Sequence, residues 1–148
     1  MDIDDAVVLA RQLMNNYGLH EWDIRIDRAV RRAGMCREKA KVIQLSGKLI
    51  PLYGESMVRD IILHEIAHAL VGAKHGHDSV WKAQARQLGA KPYARLPKDT
   101  PQLGAPWIGT CPQGHTIERF RRPQKPLSCA QCSPRYNPRY RFTWKHVS

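Results

Sequence analysis

Apolar residues recur along the first ninety positions at spacings that switch between helix-like and strand-like. Ala6, Val7, Ala10, Leu13 and Met14 fall on one side of a helix running from Asp4 to Asn16, and Gly18 ends it. Trp22 to Asp27 alternates with period two and predicts a strand. Lys41 to Ser46 predicts a second strand, with Gly47 marking the turn after it. Arg28 to Arg37 is basic and has no clear period. Between Glu55 and Val71, Val58, Ile61, Ile62, Ile66 and Leu70 recur in steps of three and four, the clearest helix in the chain. Gly72 and Gly76 break it, and Asp78 or Ser79 can cap a further helix to about Leu88, with Gly89 as its stop. From Lys91 the texture changes. Pro92, Pro97, Pro101 and Pro106 interrupt the chain, and helical periodicity disappears. The pattern predicts an α+β domain over residues 1–104 and a short, turn-rich module over residues 105–148.

Composition narrows the class. The 148 residues are 43% apolar and 25% charged, a globular mixture. No apolar run approaches the roughly 18–20 residues needed to span a bilayer. The start, Met1-Asp2-Ile3-Asp4-Asp5, is acidic and lacks the basic region and apolar stretch of a signal peptide. A cytoplasmic monomer without membrane attachment is expected, with the four cysteines as thiols or metal ligands rather than disulfides. The formal net charge is +11, and it is unevenly spread. Residues 1–90 hold 13 Lys/Arg against 11 Asp/Glu, whereas residues 91–148 hold 11 against 2. Such one-sided charge favours a polyanionic partner, nucleic acid first, over a merely solvated tail.

The chemistry concentrates at His64-Glu65-Ile66-Ala67-His68. Residues four apart on a helix lie one above the other, so both imidazoles can face one ion about 2 Å from each nitrogen. Glu65, one step from His64, can reach a metal-bound water without ligating the metal and act as general base. Composition alone would produce this pattern in roughly one such chain in a hundred. Two histidines do not complete a site, and a third ligand must leave one position open for water. The acids that follow are Asp78, Asp99 and Glu118, and no glutamate lies near the next helix. The metzincin pattern needs Gly and His where Val71 and Lys74 stand, which excludes that class. What does follow is a short loop with two histidines, His75 and His77, at the start of the next helix.

These residues resemble the SprT-like metallopeptidase family, which includes the Spartan proteases that degrade proteins crosslinked to DNA. The likeness lies in the HExxH helix and in Gly76-His77 with Trp81 four positions on. The resemblance implies a zincin-like core, with the HExxH helix on a small sheet, and His77 as third ligand with His75 as the substitute. It implies cleavage of DNA-bound or DNA-crosslinked proteins, and thus a role in repair. Trp81 would pack under the loop. Asp60, one turn before His64, could orient that imidazole or simply be a solvated charge.

Cys111-Pro112-Gln113-Gly114-His115 and Cys129-Ala130-Gln131-Cys132 offer a second set of ligands. Cys111, His115, Cys129 and Cys132 make a closed Cys₃His structural zinc site, with Gly114 letting the backbone turn toward the ion. Thr116 to Ser128 fits a short hairpin between the halves. The resemblance adds that SprT-like proteins often carry a zinc ribbon at this place. A module this small depends on its ion for stability. Cys36 is left over as a small apolar residue; a thiolate on the catalytic zinc is the alternative, without positional support.

Arg119, Arg121, Arg122 and Lys125 sit between the two ligand pairs, and Arg135, Arg139, Arg141 and Lys145 follow them. Tyr136, Tyr140, Phe142 and Trp144 interleave with the second group. Cations that track phosphates and aromatic faces that stack on bases suit single-stranded or distorted DNA without sequence preference. The expectation is therefore a peptidase with one catalytic and one structural zinc, recruited to DNA, with protein substrates. The alternative is a DNA-binding zinc-ribbon protein whose protease domain is silent. A nuclease or phosphatase is weakly supported, since no phosphate-cradling glycine loop or carboxylate-rich two-metal cluster is present. Tyr53 and the basic residues of the 25–41 region are guesses for substrate contacts.

Overall fold

The structure, a computed structural model, describes residues 1–147; Ser148, the last residue of the expected C-terminal module, lies outside them. The chain divides into two compact units, Met1–Leu103 and Gly104–Ser148.

The first unit is α+β. Among the described residues it holds α1 (Ile3–Asn16), β1 (Asp23–Asp27), β2 (Gly34–Arg37), β3 (Val42–Ser46), α2 (Glu55–Val71) and α3 (Ser79–Leu88). Asp2 starts α1 by accepting the N–H groups of Asp4 at 2.8 Å and Asp5 at 3.3 Å. The strands form one sheet in the order β1-β3-β2, with β1 parallel and β2 antiparallel to β3. Central β3 buries Val42, Ile43, Leu45 and Ser46. Strand β2 falls in the stretch without a clear period. Its sequence, Gly-Met-Cys-Arg, has no β-branched residue, and it is an edge strand packed on α2.

Helix α2 is enclosed by α1, β2 and α3. Val58, Ile61, Ile62, Leu63, Glu65, Ile66 and Ala67 are all buried, so the core surrounds most of the helix rather than following one stripe. Leu70, expected on the apolar face, is 39% exposed, whereas its neighbours Ala69 and Val71 pack against the core, so the last turn of α2 turns Leu70 outward. Tyr53 belongs to this core, at 4% exposure, and is no free substrate contact.

The second unit is a three-stranded antiparallel sheet, ordered β5-β4-β6, from β4 (Trp107–Thr110), β5 (Thr116–Arg119) and β6 (Thr143–His146). The expected hairpin over 116–128 is not formed. Only Thr116–Arg119 is strand, and it pairs backward onto Trp107–Thr110. Pro123 and Pro126 remove ladder donors from the rest, which forms no strand and makes one isolated bridge, Ser128 to Arg141. Its core is small: Cys111, Cys129 and Phe142, with Ile117, Leu127, Cys132, Tyr140 and Trp144 partly buried around them. No helix among the described residues is long and apolar enough to cross a membrane.

The packing of α2 separates two leucine-sized positions that sequence spacing treats alike. Ile62→Ala is expected to cost about 2–5 kcal/mol in chemical denaturation. Leu70→Ala is expected to stay within about 0.5 kcal/mol, and equal losses would contradict the arrangement around α2.

Candidate metal centre

His64 and His68 stand one turn apart on α2, and the segment after that helix brings His77 back to them. Gly72 (φ +95°) and Gly76 (φ +52°) supply backbone angles that other residues rarely adopt. Asp78 ends the segment as N-cap of α3. Its Oδ1 accepts the N–H groups of Val80 at 3.0 Å and Trp81 at 3.1 Å, and its Oδ2 pairs with His75 Nδ1 at 2.9 Å.

The three Nε2 atoms converge. They are 3.3 Å apart between His64 and His68, 3.0 Å between His68 and His77, and 3.1 Å between His64 and His77. Nitrogens held tetrahedrally by one zinc at about 2.0–2.1 Å lie about 3.3 Å apart, so the donors present fit such an ion. Burial, and then the neighbouring imidazoles, push His64 down to about 3; burial and then His77 push His68 down to about 4. Both rings are neutral at neutral pH and keep the lone pairs a metal needs. Lone pairs this close disfavour one another unless a cation or shared protons lie between them. His75 is occupied by Asp78 and stands outside the group.

Trp81 is fully buried beneath this trio. Its ring centroid lies 4.5 Å from that of His64, 5.2 Å from His68 and 4.6 Å from His77, and its Nε1–H points to the His64 carbonyl at 3.4 Å. Glu65 is buried, and its Oε1 lies 3.9 Å from His64 Nε2, close to the group but not part of it. Burial pushes Glu65 up to about 7, against the opposing field of Arg32, which itself pairs with Asp27 at 2.8 Å. Edge strand β2 covers this carboxylate. A Cβ built on Gly34 would come within 3.1 Å of Glu65 Cγ and of Ile61 Cγ2.

Asp60 and Cys36 each carried two readings. Asp60 does not orient His64; it accepts the N–H of Lys91 at 2.8 Å and ties down the chain after α3. Cys36 is pushed up to about 12 by burial, then by Glu65 and Glu38, so it is a protonated thiol and not a thiolate awaiting a metal. Gly34 and Glu38 carry no spacing signal, since no local pattern marks a residue that acts across strands, and Arg32 enters only as one of the basic residues of the 25–41 region.

A second group forms in the other unit from Cys111, His115, Cys129 and Cys132. All three sulfurs lie 3.4 Å from His115 Nδ1, and Cys111 Sγ is 3.9 Å from Cys132 Sγ. Around a tetrahedral zinc these separations are about 3.6 Å and 3.8 Å, so this donor set also fits one ion. Gly114 takes φ +87° and lets the His115 N–H turn back to Cys111 Sγ at 3.3 Å. Burial would raise the Cys111 thiol, but the N–H groups of His115 and Gln113 and the His115 and Cys132 side chains bring it down to about 7. Cys132 is pushed up to about 12 by burial, then by hydrogen bonds and charge from the other cysteines. The cluster resists gathering three negative charges unaided, and a divalent cation removes that obstacle.

The eight cations of the second unit are all exposed and do not share one surface. Arg119 ends β5, on the opposite edge of the sheet from Lys145 on β6. Arg135 and Arg139 follow the last cysteine, and Arg121 lies just beyond β5. Arg122, Lys125 and Arg141 do converge, lining an open groove of about 880 Å³ with Phe142 and Trp144. Gly109 shapes it: a Cβ there would meet the Trp144 ring at 2.9 Å, so the indole lies flat across β4. Arg122 also stacks over Trp107, 5.5 Å from the ring centroid.

Residues 7–102 match the sequence pattern of the SprT-like family. Among solved structures, the metallopeptidase zymogen of Methanocaldococcus jannaschii jannalysin is similar, with a TM-score of 0.47 and 20% identity over 68% of this chain and 86% of that one. No curated protein matches the chain.

The close passage of β2 over the carboxylate is open to test. Gly34→Val is expected to overpack this contact and lower stability by about 1–3 kcal/mol in chemical denaturation; an unchanged midpoint would mean that β2 lies farther from Glu65.

Proposed function

Since this chain belongs to the SprT-like family, we propose that it is a zinc-dependent endopeptidase of zincin-like architecture, brought to its substrates by DNA. The observation that carries the reading is the convergence of the His64, His68 and His77 Nε2 atoms with the Glu65 carboxylate beside them. His64, His68 and His77 would hold the catalytic ion, leaving room for a fourth ligand. That ion supplies Lewis acidity toward water and toward a peptide carbonyl. Glu65 takes the proton from the attacking water at a carboxylate oxygen and passes it to the leaving amine. Its burial under β2 keeps competing solvent away and raises its proton affinity into the range useful for both steps. Trp81 holds the three rings in one orientation from below, so the ligands need little rearrangement.

Cys111, His115, Cys129 and Cys132 would hold a structural ion as a zinc ribbon. The DNA part of the reading is supported by the charge of the second unit and by the groove of Arg122, Lys125 and Arg141 beside Trp144. Cations there suit phosphates, and the aromatic wall suits an unpaired base. Holding DNA in this unit would raise the local concentration of any protein attached to that DNA around the peptidase unit. Proteins bound or crosslinked to DNA are the substrates this arrangement favours.

Glu65→Gln is expected to slow peptide cleavage by about 10²–10⁴-fold while leaving two zinc ions per chain by native mass spectrometry. His64→Ala is expected to hold one. Wild-type cleavage by the Glu65→Gln protein would remove Glu65 as the base, and cleavage by none of the forms beside intact DNA binding would leave only a DNA-binding protein. For the groove, Lys125→Ala is expected to flatten the slope of log affinity against log salt by about 0.7 on a single-stranded oligonucleotide, read by fluorescence anisotropy. An unchanged slope would place the phosphates elsewhere.

A further inference from the structure

The segment between α2 and α3 carries the one histidine of the trio that no helix positions. Among its described residues it buries no side chain in the core; Ala73, Lys74 and His77 are exposed. Its own backbone bonds are short-range: His75 to Gly72 at 3.3 Å, Gly76 to Ala73 at 3.2 Å and Asp78 to His75 at 3.0 Å. They shape the turn but do not anchor it to the rest of the unit. The far end is fixed through Asp78, which caps α3 and holds His75. At the near end, a side chain distant in sequence does the same. Glu38, at the turn between β2 and β3, accepts the Ala73 N–H on Oε2 at 2.8 Å. Its Oε1 sits 3.3 Å from where a Cβ of Gly72 would be, so the carboxylate lies close over that glycine.

We propose that Glu38 is a positioning residue for His77. It ties the turn between β2 and β3 to the start of the third-ligand segment, so the hairpin that covers Glu65 through Gly34 also sets where the third imidazole stands. The hairpin thereby keeps the base and the ligand loop in one register. Without the Glu38 carboxylate the Ala73 N–H turns to water, and His77 samples positions away from His64 and His68. The cost falls on metal binding at the trio, because the other two ligands stay in place on α2. The Cys₃His group belongs to the other unit and is untouched.

The assignment rests on the reading of the trio as a metal centre, and its test reads metal rather than cleavage. Cobalt(II) is titrated into the metal-free full chain against a chromophoric chelator; thiolate-to-cobalt absorption reports the cysteine site and separates it from the histidine site. Glu38→Ala is expected to weaken cobalt at the histidine site about 10-fold or more, with the cysteine site unchanged. Glu38→Gln, which keeps an acceptor for the Ala73 N–H, is expected to restore affinity to near the wild-type value. The thermal midpoint of the metal-free protein is expected to be nearly the same in all three. Equal affinity in Glu38→Ala overturns the proposal. So does a loss confined to metal-free stability, or a Glu38→Gln protein no better than Glu38→Ala. A wild type that takes up no ion at the histidine site overturns the metallopeptidase reading, and the role of Glu38 with it.

Discussion

Gathering three imidazole nitrogens within 3.0–3.3 Å of one another is the demand that organises the first unit. Nothing in the rings themselves favours that approach, so the surroundings must impose it. The helix pitch supplies two of them. Two glycines with positive φ and a capping aspartate supply the third. Trp81 turns these separate devices into one site, because its buried indole touches every ring and its Nε1–H reaches the backbone of α2. Helix α3 is thereby fastened to the face of α2 on which the ligands stand.

The parts legible in the sequence were those that obey a local period. His64 and His68 follow from helical spacing, the α3 cap from Asp78 next to a glycine-broken run, and the Cys₃His set from the short gaps between ligands. The parts that stayed hidden depend on what crosses over. Asp60 sits one turn from His64 in the helix, yet its carboxylate faces the chain after α3. Tyr53 and Leu70 exchange their expected environments, since burial is set by neighbours and not by the residue. Strand β2 has weak propensity of its own and exists because β3 on one side and α2 beneath it offer pairing and cover.

The second unit follows a different economy of forces. Three buried side chains, two of them cysteines, cannot hold a sheet of four-residue strands by burial alone. Its order is concentrated around the ligand cluster, and the 120–128 stretch adds no strand to the sheet. Much of the surface can then be given to cations at little cost to the core. The first unit, near charge balance and with a full apolar core, carries no such specialisation.

The raised thiol of Cys36 has a practical consequence. With its proton held to about 12, the thiol carries little sulfur anion at neutral pH, and alkylating or oxidising agents react with that anion. Of the four cysteines, the one outside the ligand cluster is chemically quiet. By the same measure Cys132 is also quiet, so electrophile labelling of the metal-free chain reads the C-terminal cluster first through Cys111, whose thiol is brought down to about 7.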